Sequence, residues 1–152
     1  MTEPVTFPSA SPRFSLPLLF AGQAQKEFFV NEAHALTDAL LHCAIEGVAD
    51  TPPAAPQDGT CWLVGTDPTA EWSGQAGHLA ARQGGNWIFV TPRTGMRLLN
   101  RATGQDMRFT GSWQMPARPV LPTGGSTIDA EARAAISSII SALTEAGVLP
   151  AE

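Results

Sequence analysis

The sequence predicts an α+β fold: a small antiparallel β module flanked by an N-terminal helix and a C-terminal helix. Three observations predict it. A long segment of helical period, Leu16–His42, stands near the start, and a second apolar helical stripe stands near the end. Between them, up to about Gln114, the chain reads as short β-type runs separated by turns. The 14 Gly and 13 Pro among 152 residues call for many turns, and so for short strands rather than a helical bundle.

Residues 1–20 read as an extended arm. Pro8, Pro12 and Pro17 punctuate it, while Phe7, Phe14, Leu16, Leu18 and Leu19 give it apolar groups to pack. Residues 21–115 form the helix plus β module. In the helix, Phe29, Ala33, Leu36, Leu40 and Cys43–Ala44 recur on one face, and Gln23, Lys26, Glu27, Asn31, His34 and Asp38 lie largely opposite. Pro17 and Gly22 bar a start much before Ala21. Phe28 beside Phe29 widens the apolar stripe, as expected of a helix that meets more than one neighbour, another subunit included. Gln23–Gln25 and Lys26 are expected to bond the backbone of the module or of a neighbouring copy.

Ala44–Ala49 is expected as a short strand, followed by the proline-rich connector Asp50–Asp58. Thr60–Gly65 has the aromatic and β-branched content of a strand. Thr66–Gly77 reads as a loop carrying Trp72. Gly77–Gln83 and Asn86–Thr91 read as a hairpin around Gly84-Gly85. Met96–Asn100 and Met107–Phe109 read as a second hairpin, and Ser112–Met115 as a last edge strand ended by Pro116 and Pro119. Residues 116–126 form a Pro/Gly linker. Residues 127–149 form the C-terminal helix, with Ser126–Thr127 as its cap, Asp129 and Glu131 in its first turn and Gly147 as its stop. Its stripe of Ile136, Ile139, Ile140 and Leu143 is too apolar for a solitary exposed helix. The stripe is expected to enter a subunit interface or to pack on the helix Gln23–Cys43.

Composition narrows the function. The net charge is −5 and no Lys/Arg cluster occurs, which argues against a nucleic-acid partner. No apolar run reaches the roughly 20 residues that span a bilayer, and the N-terminus lacks the pattern of a secretory signal, so neither membrane nor secretion is expected. Synthesis in the cytoplasm follows. Charged residues make up only 15% and apolar residues 43%, a balance that suits a protein packed into an assembly or facing carbohydrate. Cys43 and Cys61 are expected as buried thiols, with no zinc motif and no disulfide favoured.

The segment Ala21-Gly22-Gln23-Ala24-Gln25-Lys26-Glu27, followed by Asn31-Glu32-Ala33, resembles a domain family of unknown function found in alphaproteobacterial prophages and gene transfer agents. Asp58–Gly65, Trp72-Ser73-Gly74, Gly77–Trp87 and Gly95-Met96-Arg97 extend the resemblance over about residues 11–100. The resemblance implies a virion component: a spike or fibre base or adaptor involved in host attachment, located in the virion and packed against other capsid or spike proteins. It implies no catalytic residues. Family members that continue into long fibre regions differ from a chain ending at Glu152, which favours a base, an adaptor or a short spike. A homo-oligomer, trimer or pentamer, is expected.

The residues themselves offer little catalysis. His34, Asp38 and His42 share one helix face at spacings that can present metal ligands, but the metalloprotease pattern is incomplete. Glu27 with Glu32, and Asp67 with Glu71, are better read as solvated carboxylates than as a glycosidase pair. Cys61 with His78 is a formal nucleophile–base pair, yet Cys61 fits a core strand better. No catalytic residue, metal site or cofactor is assigned. The alternative to a structural protein is a carbohydrate-binding module for host polysaccharide, with Trp72, Ser73, Gln75, His78 and Trp113 as its residues. There an exposed indole would take the flat face of a sugar ring. The bland alternative has Trp62 and Trp87 in the core and Trp72 covering the β body. The expected interface residues are Phe28, Phe29, Ile136, Ile139, Ile140 and Leu143.

Overall fold

A computed structural model describes residues 26–125 and 128–150. The arm 1–20, the AGQAQ part of the motif and Ser126–Thr127 lie outside these residues, as does the side chain of Phe28. Helix α1 runs Lys26–Leu40. Two minimal strands follow, β1 Ala44–Ile45 and β2 Val48–Ala49, then β3 Cys61–Val64. A single 3-10 turn, Ala70–Trp72, precedes the hairpin β4 Leu79–Gln83 and β5 Asn86–Val90. The hairpin β6 Arg97–Asn100 and β7 Gln105–Phe109 comes next, then β8 Trp113–Gln114 and helix α2 Ala130–Glu145. The α+β class with a helix at each end is therefore observed.

The strands form two four-stranded sheets, ordered β1-β6-β7-β8 and β2-β3-β4-β5. Most pairs are antiparallel, as hairpins require. The exceptions are β1 with β6 and β2 with β3, which are parallel. The stretch expected as one strand, Ala44–Ala49, is thus two, and the chain passes from one sheet to the other at Glu46-Gly47.

The main core joins both sheets and α1. Leu36, Cys43, Ile45, Cys61, Leu63, Leu79, Val90, Met96, Leu98 and Met107 are all buried in it. Period-2 alternation places them: Leu98 faces Met107 across the β6–β7 pair, and Leu79 faces Val90 across β4–β5. On α1, Leu36 enters this core with Ala39 and Leu40 beside it, while His34 and Asp38 stay exposed. The helix ends two residues earlier than expected, because His42 adopts a left-handed φ of 52°. His42 thus leaves the face shared by His34 and Asp38. Among the described residues no cluster of three His, Cys, Asp or Glu could hold a metal.

A second, smaller core lies on the other face of the β2–β5 sheet. It holds Val64, Trp72 and Ala80, with Trp62, Trp87 and Phe89 packed against it.

Helix α2 is capped by Asp129 rather than by Ser126–Thr127: the Asp129 carboxylate accepts from the Ala132 N–H at 2.8 Å. Its C-terminus closes as a Schellman motif, with Val148 N–H on Leu143 O and Gly147 N–H on Thr144 O. Gly147 takes the φ of 71° that this motif needs. The Gly147 carbonyl then accepts from Asp106 N–H at 2.7 Å, which docks the helix end on β7. Gln105, fully buried on β7, donates from Nε2 to both Pro116 O and Val148 O. Arg133 donates to Pro122 O and Gly124 O, folding the linker back along the helix. The linker is therefore tied at Pro116, Pro122 and Gly124, and α2 is seated on the rest of the chain at its C-terminal end.

Candidate functional site

Trp72 is fully buried, which corrects the expectation of an exposed indole platform. The cause lies at Asp50. Its backbone O accepts from Thr69 N–H at 2.8 Å, and its side-chain Oδ1 accepts from Asp67 N–H at 3.0 Å. Thr51 and Thr69 hydroxyls bond each other at 2.7 Å. The loop 66–72 is thereby pinned down, and Trp72 points under it onto the sheet. Its ring meets Trp87 edge-on at 5.1 Å between centroids and Trp62 at 6.5 Å. Trp87 donates from Nε1 to Glu71 at 3.0 Å and carries the Arg82 guanidinium over its face. Trp72 covers the β body, with half-buried Trp62 and Trp87 packed around it.

Ser73 and Gln75 ride on this loop. The Ser73 hydroxyl donates to Ala70 O, and Gln75 N–H donates to Trp72 O. These bonds close the turn over Trp72.

His78 and Trp113 are brought together elsewhere, in a cleft of about 600 Å³ between the two sheets. Val48, Leu63, Val64, Pro92 and Phe109 give it apolar walls, and Thr66, Thr91 and Ser112 put hydroxyls in its lining. Trp113 packs edge-on against Phe109 at 5.3 Å, and its Nε1 donates to Gly77 O at 3.1 Å. That bond links the β8 hairpin to the other sheet. The His78 ring is hydrogen-bonded through Nδ1 to Ala76 O at 3.2 Å and through Nε2 to the Thr91 hydroxyl at 3.0 Å. Both ring nitrogens are thus engaged.

Cys61 is buried in the main core and does not line the cleft that holds His78, whose ring nitrogens bond Ala76 O and the Thr91 hydroxyl, so the two are not brought together as a nucleophile–base pair. The cleft can hold an apolar face edged by hydroxyls; it presents no acid–base pair. Phe109 and Val48 line it and were not anticipated. The signal for Phe109 was present, because an aromatic four residues before Trp113 across a short turn is a cross-strand partner.

The second candidate surface is the outer side of α2. Ile140 is the only buried residue of this helix. Ile136, Ile139 and Leu143 remain 41%, 59% and 37% exposed. From Ala134 to Thr144 the helix carries no charged side chain. The stripe therefore does not pack away on its own chain: of Ile136, Ile139, Ile140 and Leu143, only Ile140 is buried. Phe29, on α1, is half-buried.

No helix among the described residues is long and apolar enough to cross a membrane. No curated protein matches the chain. A family profile described as "Protein of unknown function (DUF2793)" matches residues 30–114, which takes in α1 from its second turn, both sheets and the cleft. The match covers more than half of the chain, and the protein belongs to this family of unknown function.

Proposed function

We propose that the protein is a structural component of a phage or gene transfer agent particle, a spike or fibre base or adaptor that serves host attachment as a homo-oligomer. The observation that carries this reading is the α2 surface. Burying one aliphatic side chain stabilises by about 1.5–3 kcal/mol, so a helix that leaves Ile136, Ile139 and Leu143 exposed is suited to a partner. Ala132, Ile136, Ile139 and Leu143 follow a 4-3-4 spacing, the seam of a helical bundle. Ile at successive seam positions favours three or more strands over two, so a trimer fits better than a dimer. The uncharged flanks of Ala and Ser allow copies to approach closely. The resemblance of the AGQAQKE segment supplies the particle context.

The test combines two measurements. Purified particles are analysed by mass spectrometry for this chain. The isolated protein is sized by light scattering before and after the double change Ile136→Ser, Ile139→Ser. The reading expects the chain in particles and a mass that falls towards the monomer in the variant. A monomeric wild type that is absent from particles overturns it.

A second reading, recognition of host polysaccharide, is favoured by the inter-sheet cleft with Phe109, Trp113, Thr91 and Ser112. Its residues are His78 and Trp113 rather than Trp72. Calorimetry with host capsule fractions on wild type and on Trp113→Ala tests it, and absence of heat with wild type ends it.

A further inference from the structure

Cys43 and Cys61 are far apart by type of element: one follows the end of α1, the other opens β3. The fold brings them together. Both are buried in the main core, at 8% and 6% exposure, and both line one cavity of about 230 Å³. Glu46 N–H donates to Cys61 O at 2.8 Å, which fixes the strand that follows Cys43 alongside β3. Beside this shared placement, a hydrogen bond between the two thiols sets the direction of their pKa values. That bond holds the Cys43 thiol below its ordinary pKa, opposed by burial, and raises that of Cys61, which burial raises further.

The cavity opens beside exposed His42, Gly59 and Arg101. Its charged and titratable lining comprises Asp38, His42, Arg82 and Arg101. Glu46, paired with Arg101 at 2.7 Å, lies near enough to Cys61 to act on its charge. Arg101 is engaged by Glu46, and the Arg82 guanidinium lies over the Trp87 ring.

We propose that Cys43 and Cys61 form a dithiol site that closes to an intramolecular disulfide when the protein meets a low-molecular-weight disulfide. The Cys43 thiolate attacks one sulfur of the reagent, and the other leaves as a thiolate and takes up a proton. Cys61 then gives up its proton and attacks the Cys43 sulfur of the mixed disulfide, expelling the second reagent thiol. Two protein thiols and one reagent disulfide become one protein disulfide and two reagent thiols. Free thiols and the closed bond are two redox states of one site, and the closed bond ties the end of α1 to β3 across the proline-rich connector. In the unfolded chain it also removes the freedom of the segment between them.

The full chain is incubated at neutral pH with mixtures of oxidised and reduced glutathione, then read by intact mass, thiol titration and peptide mapping. The expected product has lost two hydrogens, has no free thiol and yields a linked Cys43–Cys61 peptide. Its thermal midpoint is higher than that of the reduced protein by about 5 °C or more. Cys61→Ala is expected to stop at a stable glutathione adduct on Cys43. Two free thiols in excess oxidant, a stable adduct on wild type, or a cross-link between chains each overturns the proposal. If the variant does not fold, the wild-type product decides alone. No outcome bears on whether the chain assembles into particles.

Discussion

The two-sheet body and helix α2 are built on opposite plans. In the body, side chains from α1, both sheets and the 66–72 loop converge until Ile45, Leu79, Val64 and Trp72 are essentially sealed. In α2, a helix of 16 residues seals one. The body has the contacts of a self-sufficient fold. The helix is held by its caps and by its docked C-terminal end, and offers the rest of its surface outward. Local capping and tertiary burial are separable sources of order, and this chain uses each in a different place.

The contrast can be broken most sharply at Trp72. Trp72→Ala should empty the second core and cost about 3–5 kcal/mol, read as a lower urea midpoint with loss of the fluorescence change of the aromatic cluster. A smaller cost is expected at Gly65, where an added Cβ would collide with the Asp50 carboxylate that pins the loop. Gly65→Ala should destabilise the body by about 1–3 kcal/mol in chemical denaturation. On the helix, Asp129→Ala should cost about 1 kcal/mol. That loss should appear as reduced helicity and faster hydrogen exchange confined to α2. The smallest effect on body stability is expected for Ile139→Ser, within about 0.5 kcal/mol, because the side chain touches solvent. Its signature is instead a smaller oligomer by light scattering. A body that unfolds with Ile139→Ser as readily as with Trp72→Ala would erase the distinction.

Much of this was legible in the residues. The hairpin at Gly84-Gly85, the alternation of β6 and β7 and the Gly147 stop are local signals, and local signals dictate them. The helical period of α1 likewise gave its buried face at Leu36 and Leu40. The fate of Trp72 was half legible: covering the β body was one of the two readings the residues allowed, and it is the one observed. A Gly/Ser-rich surrounding suggests an exposed loop, yet Asp50, far back in the sequence, decides which way the indole turns. The division of Ala44–Ala49 between two sheets has no local signal, because neither strand is long enough to show a period. Of the proposed sugar-binding residues, the structure gathers His78 and Trp113 in one cleft and leaves Ser73 and Gln75 over the buried indole. Spacing along the chain could not have separated these pairs, since the sheets had to be assembled first.

The crossing at Glu46-Gly47 has a mechanical side. Along one edge, Cys43 O and Ile45 O accept from Leu99 and Arg101 of the first sheet. Along the other, Glu46 N–H, Gly47 O and Ala49 O bond Cys61, Leu63 and Gly65 of the second. A pull delivered through α1 therefore meets these bonds side by side, in shear, rather than peeling them open one after another. Because the loaded segment belongs to both sheets, neither can slide without the other, and tension entering from the N-terminal side is divided between them at a seam six residues long, Ala44–Ala49.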